Sequence, residues 1–161
     1  MAVHLLLKLA NVEGEAQTDG FEKQIELDSF SWAFHNSSTP HGAGRGAGKV
    51  EAHGIVCTKK VDKASPKLFK AITTGEHFKD AILTALKAGG AKNVAFMKFE
   101  FDQLFLVDLN ESGSNGDGDV PRESLNFQFG KVTVTYNEQK ADGTTGAATV
   151  ASYDFAKGVS K

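Results

Sequence analysis

The chain has 161 residues, close to the common size of one domain, and a formal net charge of −2. A charge of this sign and size gives no indication of nucleic-acid binding, because phosphate recognition requires clustered Lys and Arg. Its one cysteine, Cys57, excludes an internal disulfide and suits synthesis in a reducing compartment, and we expect it to be a small buried residue.

The amino-terminal residues 1–17, MAVHLLLKLANVEGEAQ, do not match a cleaved secretion signal. They lack a basic first region and a convincing small-residue cleavage site, and Lys8 interrupts the apolar run. No stretch of the chain approaches the roughly 20 apolar residues that span a bilayer. We therefore expect a soluble protein made in the cytoplasm, without membrane insertion, whose residues 2–9 form a first strand that is apolar on both faces.

Three later stretches alternate apolar and polar residues and then change parity. The change falls within residues 25–34, at Gly54 within 50–57, and at Gly130 within 125–136. A strand directs alternate side chains to opposite faces, and one extra residue, a β-bulge, reverses that alternation. We interpret the three stretches as long, bent, half-buried strands, in the first of which the core-facing residues are Phe30, Trp32 and Phe34. A sheet of bent strands must curve, so the pattern predicts a closed barrel or a tightly rolled sandwich.

Between the first two of these strands, residues 36–49 are rich in alternating glycines and predict a flexible, extended loop. Its end, Gly48-Lys49, superficially resembles a phosphate-binding loop. That interpretation fails because Ala43 stands at the first glycine of the motif, Val50 follows the lysine, and a strand comes next instead of a helix.

Residues 64–75 predict the one clear helix. Ser65 is placed to cap it, Pro66 suits the first helical position, and Gly75 is placed to end it. The apolar face of this helix consists of Leu68, Phe69 and Ile72.

The next stretch, residues 77–90, is ambiguous from pattern alone. Phe78, Ile82 and Leu86 have helical spacing and lie among good helix formers. If residues 81–87 instead form a strand, that strand is apolar on both faces. The periodicity leaves both interpretations open.

Residues 94–107 place apolar side chains on both parities, which is typical of a strand covered on both faces. One face of such a strand can meet the core of a single-domain barrel. The other face then meets another subunit, so this stretch predicts an oligomer.

The remaining segments read as loops and a last strand. Residues 110–121 mimic the start of a calcium loop, but Val120 replaces the required glycine and Asn126 stands where the bidentate Glu belongs, so a solvated turn is predicted. Residues 137–149 form a second loop, with a turn at Asp142-Gly143, and residues 150–155 form the last strand.

No catalytic constellation can be proposed from the sequence. The histidines are scattered and make no ligand pair, and we find no nucleophile elbow, no Cys beside a His and no paired carboxylates in an apolar pocket. The five histidines are His4, His35, His41, His53 and His77. We therefore expect a protein that is not an enzyme and binds neither metal nor cofactor.

Five segments, taken in order, resemble the Hcp (haemolysin-coregulated protein) family of type VI secretion. They are SFSWAF at 29–34, GAGRGAGK at 42–49, TKKVDKASPKLFKA at 58–71, KAGG at 87–90 and LNFQFGKVTVTYNEQKADG at 125–143. Each is weak alone, but the ordered set covers nearly the whole chain with matching spacing.

This resemblance implies a mainly β fold: a rolled two-sheet β-barrel with bulged antiparallel strands, one flanking helix at about 64–75, and a strand at 81–87. It implies a single domain over residues 1–161 that is similar to phage tail-tube proteins. The resemblance also implies six-membered rings that stack as a tube inside a contractile sheath and beneath a spike protein. From the same resemblance we expect the tube to be expelled without a cleaved signal peptide and its rings to hold effector proteins. The alternative is a non-enzymatic carbohydrate- or protein-binding barrel module.

Two sets of site residues follow from this interpretation. If Phe30, Trp32 and Phe34 face the core, the small residues that precede each of them face the lumen and the cargo; these are Ser29, Ser31 and Ala33. The glycine-rich loop is expected to reach the next ring in the stack, through His41, Gly42, Gly44, Arg45, Gly46, Gly48 and Lys49.

Overall fold

The structure, a computed structural model, describes residues 2–39, 48–89, 92–116 and 118–161. The described chain forms nine strands and one helix, which confirms the mainly β prediction. In chain order the elements are β1 Val3–Leu9, β2 Ile25–Leu27, β3 Ser29–Asn36, β4 Val50–Lys60, α1 Ser65–Thr74, β5 His77–Gly89, β6 Lys92–Ser112, β7 Arg122–Gln139, β8 Thr145–Asp154 and β9 Val159–Ser160.

All strands belong to one antiparallel sheet that rolls around the core. Its main path runs β2-β1-β5-β6-β7-β4-β3, and β8 pairs with β7 and with β9. The two ends of this path, β2 and β3, are joined by the single residue Asp28, whose backbone N–H donates to the Thr58 carbonyl at 2.8 Å. Within the described residues no ladder joins β2 to β3, so hydrogen bonds do not close the roll and only the backbone at Asp28 connects its two ends.

The first predicted bent strand, over residues 25–34, proves to be two strands. β2 pairs with β1, whereas β3 pairs with β4. The parity changes because the chain turns a corner at Asp28 and takes a new neighbour, and the interpretation as one bulged strand is wrong.

The predicted bulge at Gly54 is confirmed. Trp32 lies opposite Ile55 and Phe34 lies opposite Ala52, so β4 has one residue more than β3 in this interval. Gly54 has φ +81°, and a Cβ there would lie 2.7 Å from the Phe127 carbonyl oxygen. Only glycine fits this position without strain.

At Gly130 the parity change is real but its predicted cause is wrong. Phe129 and Val132 are both buried, yet the register with β6 is the same on either side of Gly130. The positive φ, 55°, belongs to Gln103 on the facing strand. Both strands therefore change parity together, where β7 exchanges β4 for β8 as its neighbour.

The core is built on phenylalanine. Phe99, Phe101 and Phe127 are almost fully buried, and the ring of Trp32 packs against Phe99 with centroids 4.7 Å apart. The predicted core direction of β3 is confirmed for Phe30 and Trp32, which pack against this cluster. Phe34 lies on the same side, 4.7 Å from Trp32, but remains 43% exposed because the roll is open there.

β1 is buried on both faces, as its sequence predicts. Leu7 and Leu9 enter the main core. Leu6 enters a second cluster with Ala16 and Leu86, formed under the segment that follows β1. Cys57 is buried as expected, and burial raises its thiol pKa to about 12.

Helix α1 ends at Gly75 as predicted, with φ 69°. Two details of the prediction are wrong. The N-cap is Ala64, and Ser65 is a buried first-turn residue whose Oγ accepts from the Asp62 backbone N–H at 3.0 Å. Ala71 is buried beside Leu68, whereas Phe69 is 58% exposed.

The ambiguous stretch over residues 81–87 is a strand. β5 pairs with β1 on one edge and β6 on the other, and two ladders outweigh the helix propensity of its residues. The strands around the predicted loops are longer than expected, since β6 reaches Ser112 and β8 begins at Thr145. The short strand β9 was not predicted.

A buried ionic cluster joins α1 to the sheet. The Nζ of Lys59, whose side chain is fully buried, lies 2.6 Å from Glu123 Oε2, 2.8 Å from Asp62 Oδ1 and 3.3 Å from Ser65 Oγ. The cluster ties β4, β7 and the start of the helix together. Because buried charges are tolerated only when they are paired, each member depends on the others.

We predict that Lys59→Met destabilises the fold, because Glu123 loses the cation that it pairs with while still buried. Removal of one partner of a buried pair typically costs about 3–5 kcal/mol of unfolding free energy. Urea denaturation followed by circular dichroism measures the loss. The exposed neighbour supplies the control, since Lys60→Met should change stability by no more than about 0.5 kcal/mol. Equal effects from the two substitutions would contradict the assignment.

Candidate functional site

Small side chains, all but one of them uncharged, form a patch on one side of β3, β4, β7 and the second half of β6. The exposed Lys60 and Arg122 lie on the same side, beyond one end of this patch. Cross-strand register aligns Ser29 with Thr58, Ser124 and Asn110 in one row. Ser31 begins the next row, through Val56 and Asn126 to Asp108. We call this surface the serine face, and it consists of Ser29, Ser31, Ala33, Val56, Thr58, Asp108, Asn110, Ser124 and Asn126.

The structure thus brings the predicted Ser29 and Ser31 together with residues of three other strands. Ser29, Ser31 and Ala33 are all exposed. Ser29 Oγ and Thr58 Oγ1 are 2.6 Å apart, and Asn126 Nδ2 donates to Asp108 Oδ2 at 3.2 Å. Asp108 is the only charged member, so the face offers hydroxyl and amide groups without strong fixed charge.

Both edges of this four-stranded section are open. Within the described residues β3 pairs only with β4. Residues 106–112 of β6 pair only with β7, because the ladder to β5 ends at the His77–Phe105 pair. Natural edge strands are usually protected by Pro or by charged residues. β3, with the sequence SFSWAFHN, contains no Lys, Arg, Asp, Glu or Pro.

The glycine-rich loop is described only at its end. His41, Gly42, Gly44, Arg45 and Gly46 lie outside the described residues, so their predicted ring-stacking role stays a prediction. Gly48 and Lys49 extend the β3–β4 hairpin: the Ser37 N–H donates to the Lys49 carbonyl at 3.3 Å, and the Lys49 N–H donates to Ser37 Oγ at 3.1 Å. A Cβ at Gly48 would overlap the backbone of Ser38, so the segments that follow β3 and precede β4 approach closely at this end of the serine face.

β6 has apolar residues on both faces, as its sequence predicts. Phe99, Phe101, Leu104 and Leu106 are buried on the core side. On the other side Phe105 is 37% and Val107 is 44% exposed. The ring of Phe105 packs against His77 with centroids 4.1 Å apart. Val107 lies in the open-edged half of β6, so apolar surface is exposed beside an unpaired edge.

Two glutamates next to this surface were missed by the sequence analysis. Glu123 and Glu111 stand opposite each other on β7 and β6, in the row that begins at Lys59. Glu123 Oε1 is buried and has no donor among the described residues. The side-chain hydrogen bond with Glu123 raises the pKa of Glu111, since a protonated Glu111 carboxyl can supply that donor. The sequence did contain a signal for this buried pair. Lys59 has the same parity as the buried Cys57, and Glu123 has the same parity as the buried Leu125.

We predict that Glu111→Gln stabilises the protein at neutral pH. The raised pKa means that folded Glu111 holds its proton more tightly than unfolded Glu111, so the parent loses stability as the pH rises through that pKa. The amide of Gln donates at every pH. The advantage of the variant, measured as a shift of the urea midpoint, should therefore shrink as the pH falls toward the ordinary value of 4.5.

Glu138→Gln, the same substitution at an exposed position, is the matched control. Its effect on the urea midpoint should show no such pH dependence. An advantage for Glu111→Gln that stays constant between neutral pH and about pH 4.5 would contradict the shared proton.

Within residues 2–39, 48–89, 92–116 and 118–161, no three His, Cys, Asp or Glu side chains are arranged to hold a metal ion. In the same ranges no helix combines the length and apolar character needed to cross a bilayer.

Comparison with known proteins gives a consistent result. The family model described as "Type VI secretion system effector, Hcp" matches residues 6–136. The protein hcp1 of Pseudomonas aeruginosa is 34% identical over 144 residues, which cover 89% of this chain and 88% of that protein.

Solved structures agree with this result. The structure of a type six secretion system protein superposes with a TM-score of 0.92 at 29% identity, over 99% of this chain and 100% of the other. The crystal structure of Hcp1 from Salmonella typhimurium superposes with a TM-score of 0.83 at 32% identity, over 100% of both chains.

Proposed function

The chain belongs to the Hcp family of type VI secretion proteins, and we propose that it assembles through its two open sheet edges into six-membered rings that stack as the expelled tube. The six-fold number comes from the resemblance to the family. The observation that carries the proposal is the four-stranded section with the serine face on one side and an unpaired edge at each end.

The directions of the strands suit closure into a ring. β3, β4, β7 and β6 are successively antiparallel, so β3 and β6 run in opposite directions. Rotation about a ring axis leaves the direction of a strand along that axis unchanged. The β3 edge of one copy therefore meets the β6 edge of the next in the antiparallel orientation that the sheet already uses. Such a head-to-tail contact generates a ring when the rotation closes.

In such a ring the serine face lines the lumen. A closed sheet has an inner and an outer side, and the hydrophobic core lies against the side opposite the serine face. Its small side chains leave room for a passing or bound protein. Its near-neutral character avoids tight electrostatic retention, which suits cargo that must later be released.

We further propose that the protein is structural and not an enzyme, and that residues 1–161 act as one domain. Its partners are the other copies in the ring and the stack, the spike protein, the contractile sheath and effector proteins. It is made in the cytoplasm and secreted without a cleaved signal peptide. The relatives favour this function over a free carbohydrate- or protein-binding module.

We predict that the purified protein has about six times the mass of one chain by light scattering. Val107→Asp should reduce that mass to a single folded chain, because it places a charge beside the β6 edge. Val120→Asp, in the loop before β7 and similarly exposed, should keep the ring. A single-chain mass for the unmodified protein would exclude the ring.

We predict that Ser31→Gln weakens cargo binding and leaves the ring intact. Ser31 is exposed at the beginning of a cross-strand row, so a longer side chain there enters the lumen without entering the core. Co-purification of a co-produced effector should fall while ring mass and melting temperature stay the same. Ser114→Gln, the same change in an exposed loop, is the control. Loss of the ring would assign Ser31 to the subunit interface, and unchanged effector retention would remove it from the cargo site.

A further inference from the structure

Two apolar features on the core side of the sheet are left uncovered by the residues that the structure describes. One is Phe69 of α1, which is 58% exposed although its neighbour Leu68 is buried in the core. The other is a groove between β3 and β8. Its volume is about 260 Å³, and its lining residues include Trp32, Phe34, Val132, Val134, Ala151 and Tyr153.

Phe69 lies beside the open edge of β6. Helix α1 contacts β6 and runs between two of its rows. Ser65 in its first turn is bonded to Lys59, in the row that ends at Glu111, and His77, just after its end, pairs with Phe105. The opposite flank of the helix faces the end of β1, because Lys67 Nζ donates to the Asn11 carbonyl at 3.0 Å. Phe69 follows Lys67 by two residues, about 200° around the helix. Its ring therefore lies on the flank toward β6 and away from β1.

The groove lies beside the open edge of β3. Trp32 and Phe34 direct their rings to the core side of this strand, and Val134 and Ala151 pair across β7 and β8 to form the facing wall. The roll is open here, which leaves Phe34 partly exposed. Apolar surface of this kind at a sheet edge marks an interaction site.

We propose that Phe69 of one copy fills the groove between β3 and β8 of the next copy. This inference rests on the proposed ring and specifies which side chain anchors it. When the β6 edge of one copy meets the β3 edge of the next, Phe69 and the groove come to the same side of the joined sheet. The cross-strand row that begins at Trp32 ends at Leu106, the residue at which the open interval of β6 begins.

The size and chemistry of the groove favour a side chain over a small molecule. Its volume is below the roughly 300–1,000 Å³ of typical small-molecule sites. Such sites also contain several placed polar groups, whereas this lining is mainly aromatic and aliphatic. An aromatic anchor in an apolar pocket is the usual centre of a protein interface.

A double-mutant cycle tests the contact. Phe69→Ala removes the anchor, and Ala151→Trp fills the groove from its own wall. Each substitution alone should raise the chain concentration needed for ring formation by at least about tenfold, measured by light scattering on a dilution series. The double variant, Phe69→Ala with Ala151→Trp, should need a lower chain concentration for ring formation than the product of the two single increases predicts. The reason is that the new indole replaces the missing phenyl ring.

The control is Ala148→Trp, the same change at another exposed position of β8. It should assemble like the parent. Circular dichroism checks that each variant is folded. If Ala151→Trp does not fold, Phe69→Ala alone decides the question, because the exposed Phe69 contributes little to the core.

The outcomes separate this inference from the proposed function. If the parent forms rings and Phe69→Ala forms them at the same concentration, the anchor is wrong and the ring stands. Strictly multiplicative effects in the double variant would place Phe69 and Ala151 in separate contacts and overturn the pairing. If the parent itself has the mass of one chain, the proposed ring fails first.

Discussion

The central constraint on this fold is that both backbone edges of β7 need partners along a strand of eighteen residues. β6 pairs with one edge from Arg122 to Tyr136. On the other edge β4 pairs as far as Phe127, and β8 takes over from Lys131. The exchange of neighbours divides the sheet into two sections. The serine face belongs to the first section, and the apolar groove opens where β3 of the first section approaches β8 of the second.

The position of α1 explains why an edge of β6 stays open. The helix contacts β6 between the His77–Phe105 pair, where β5 begins, and the row of Glu111. The Lys59 cluster holds its first turn to β4 and β7. A helix satisfies its backbone groups internally, so it can cover a core without pairing with a neighbouring strand. The core is thereby closed by Leu68 and Ala71, while the N–H and C=O groups along residues 106–112 keep their capacity for another chain.

Much of the fold could be predicted from the sequence, because alternation and glycine positions are local signals. Gly54 and Gly75 are examples, since each marks a backbone conformation that the neighbouring residues already require. Asp28 could not be read correctly, because a corner between two strands and a bulge within one change the parity in the same way. Phe69 was misassigned for a related reason: helical spacing identifies an apolar face but not whether its own chain or another covers it.

For the candidate site the sequence identified Ser29 and Ser31 but not their surroundings. The neighbours that complete the serine face come from strands more than twenty residues away, and only register brings them into the same rows. The bulge at Gly54 lies in the strand between β3 and β7, and it sets the local twist and bend of this section. Curvature determines how far each copy rotates relative to the last, and therefore whether a head-to-tail chain returns to its start or continues as an open helix. One glycine thus helps to separate a closed particle of fixed size from an unlimited fibre.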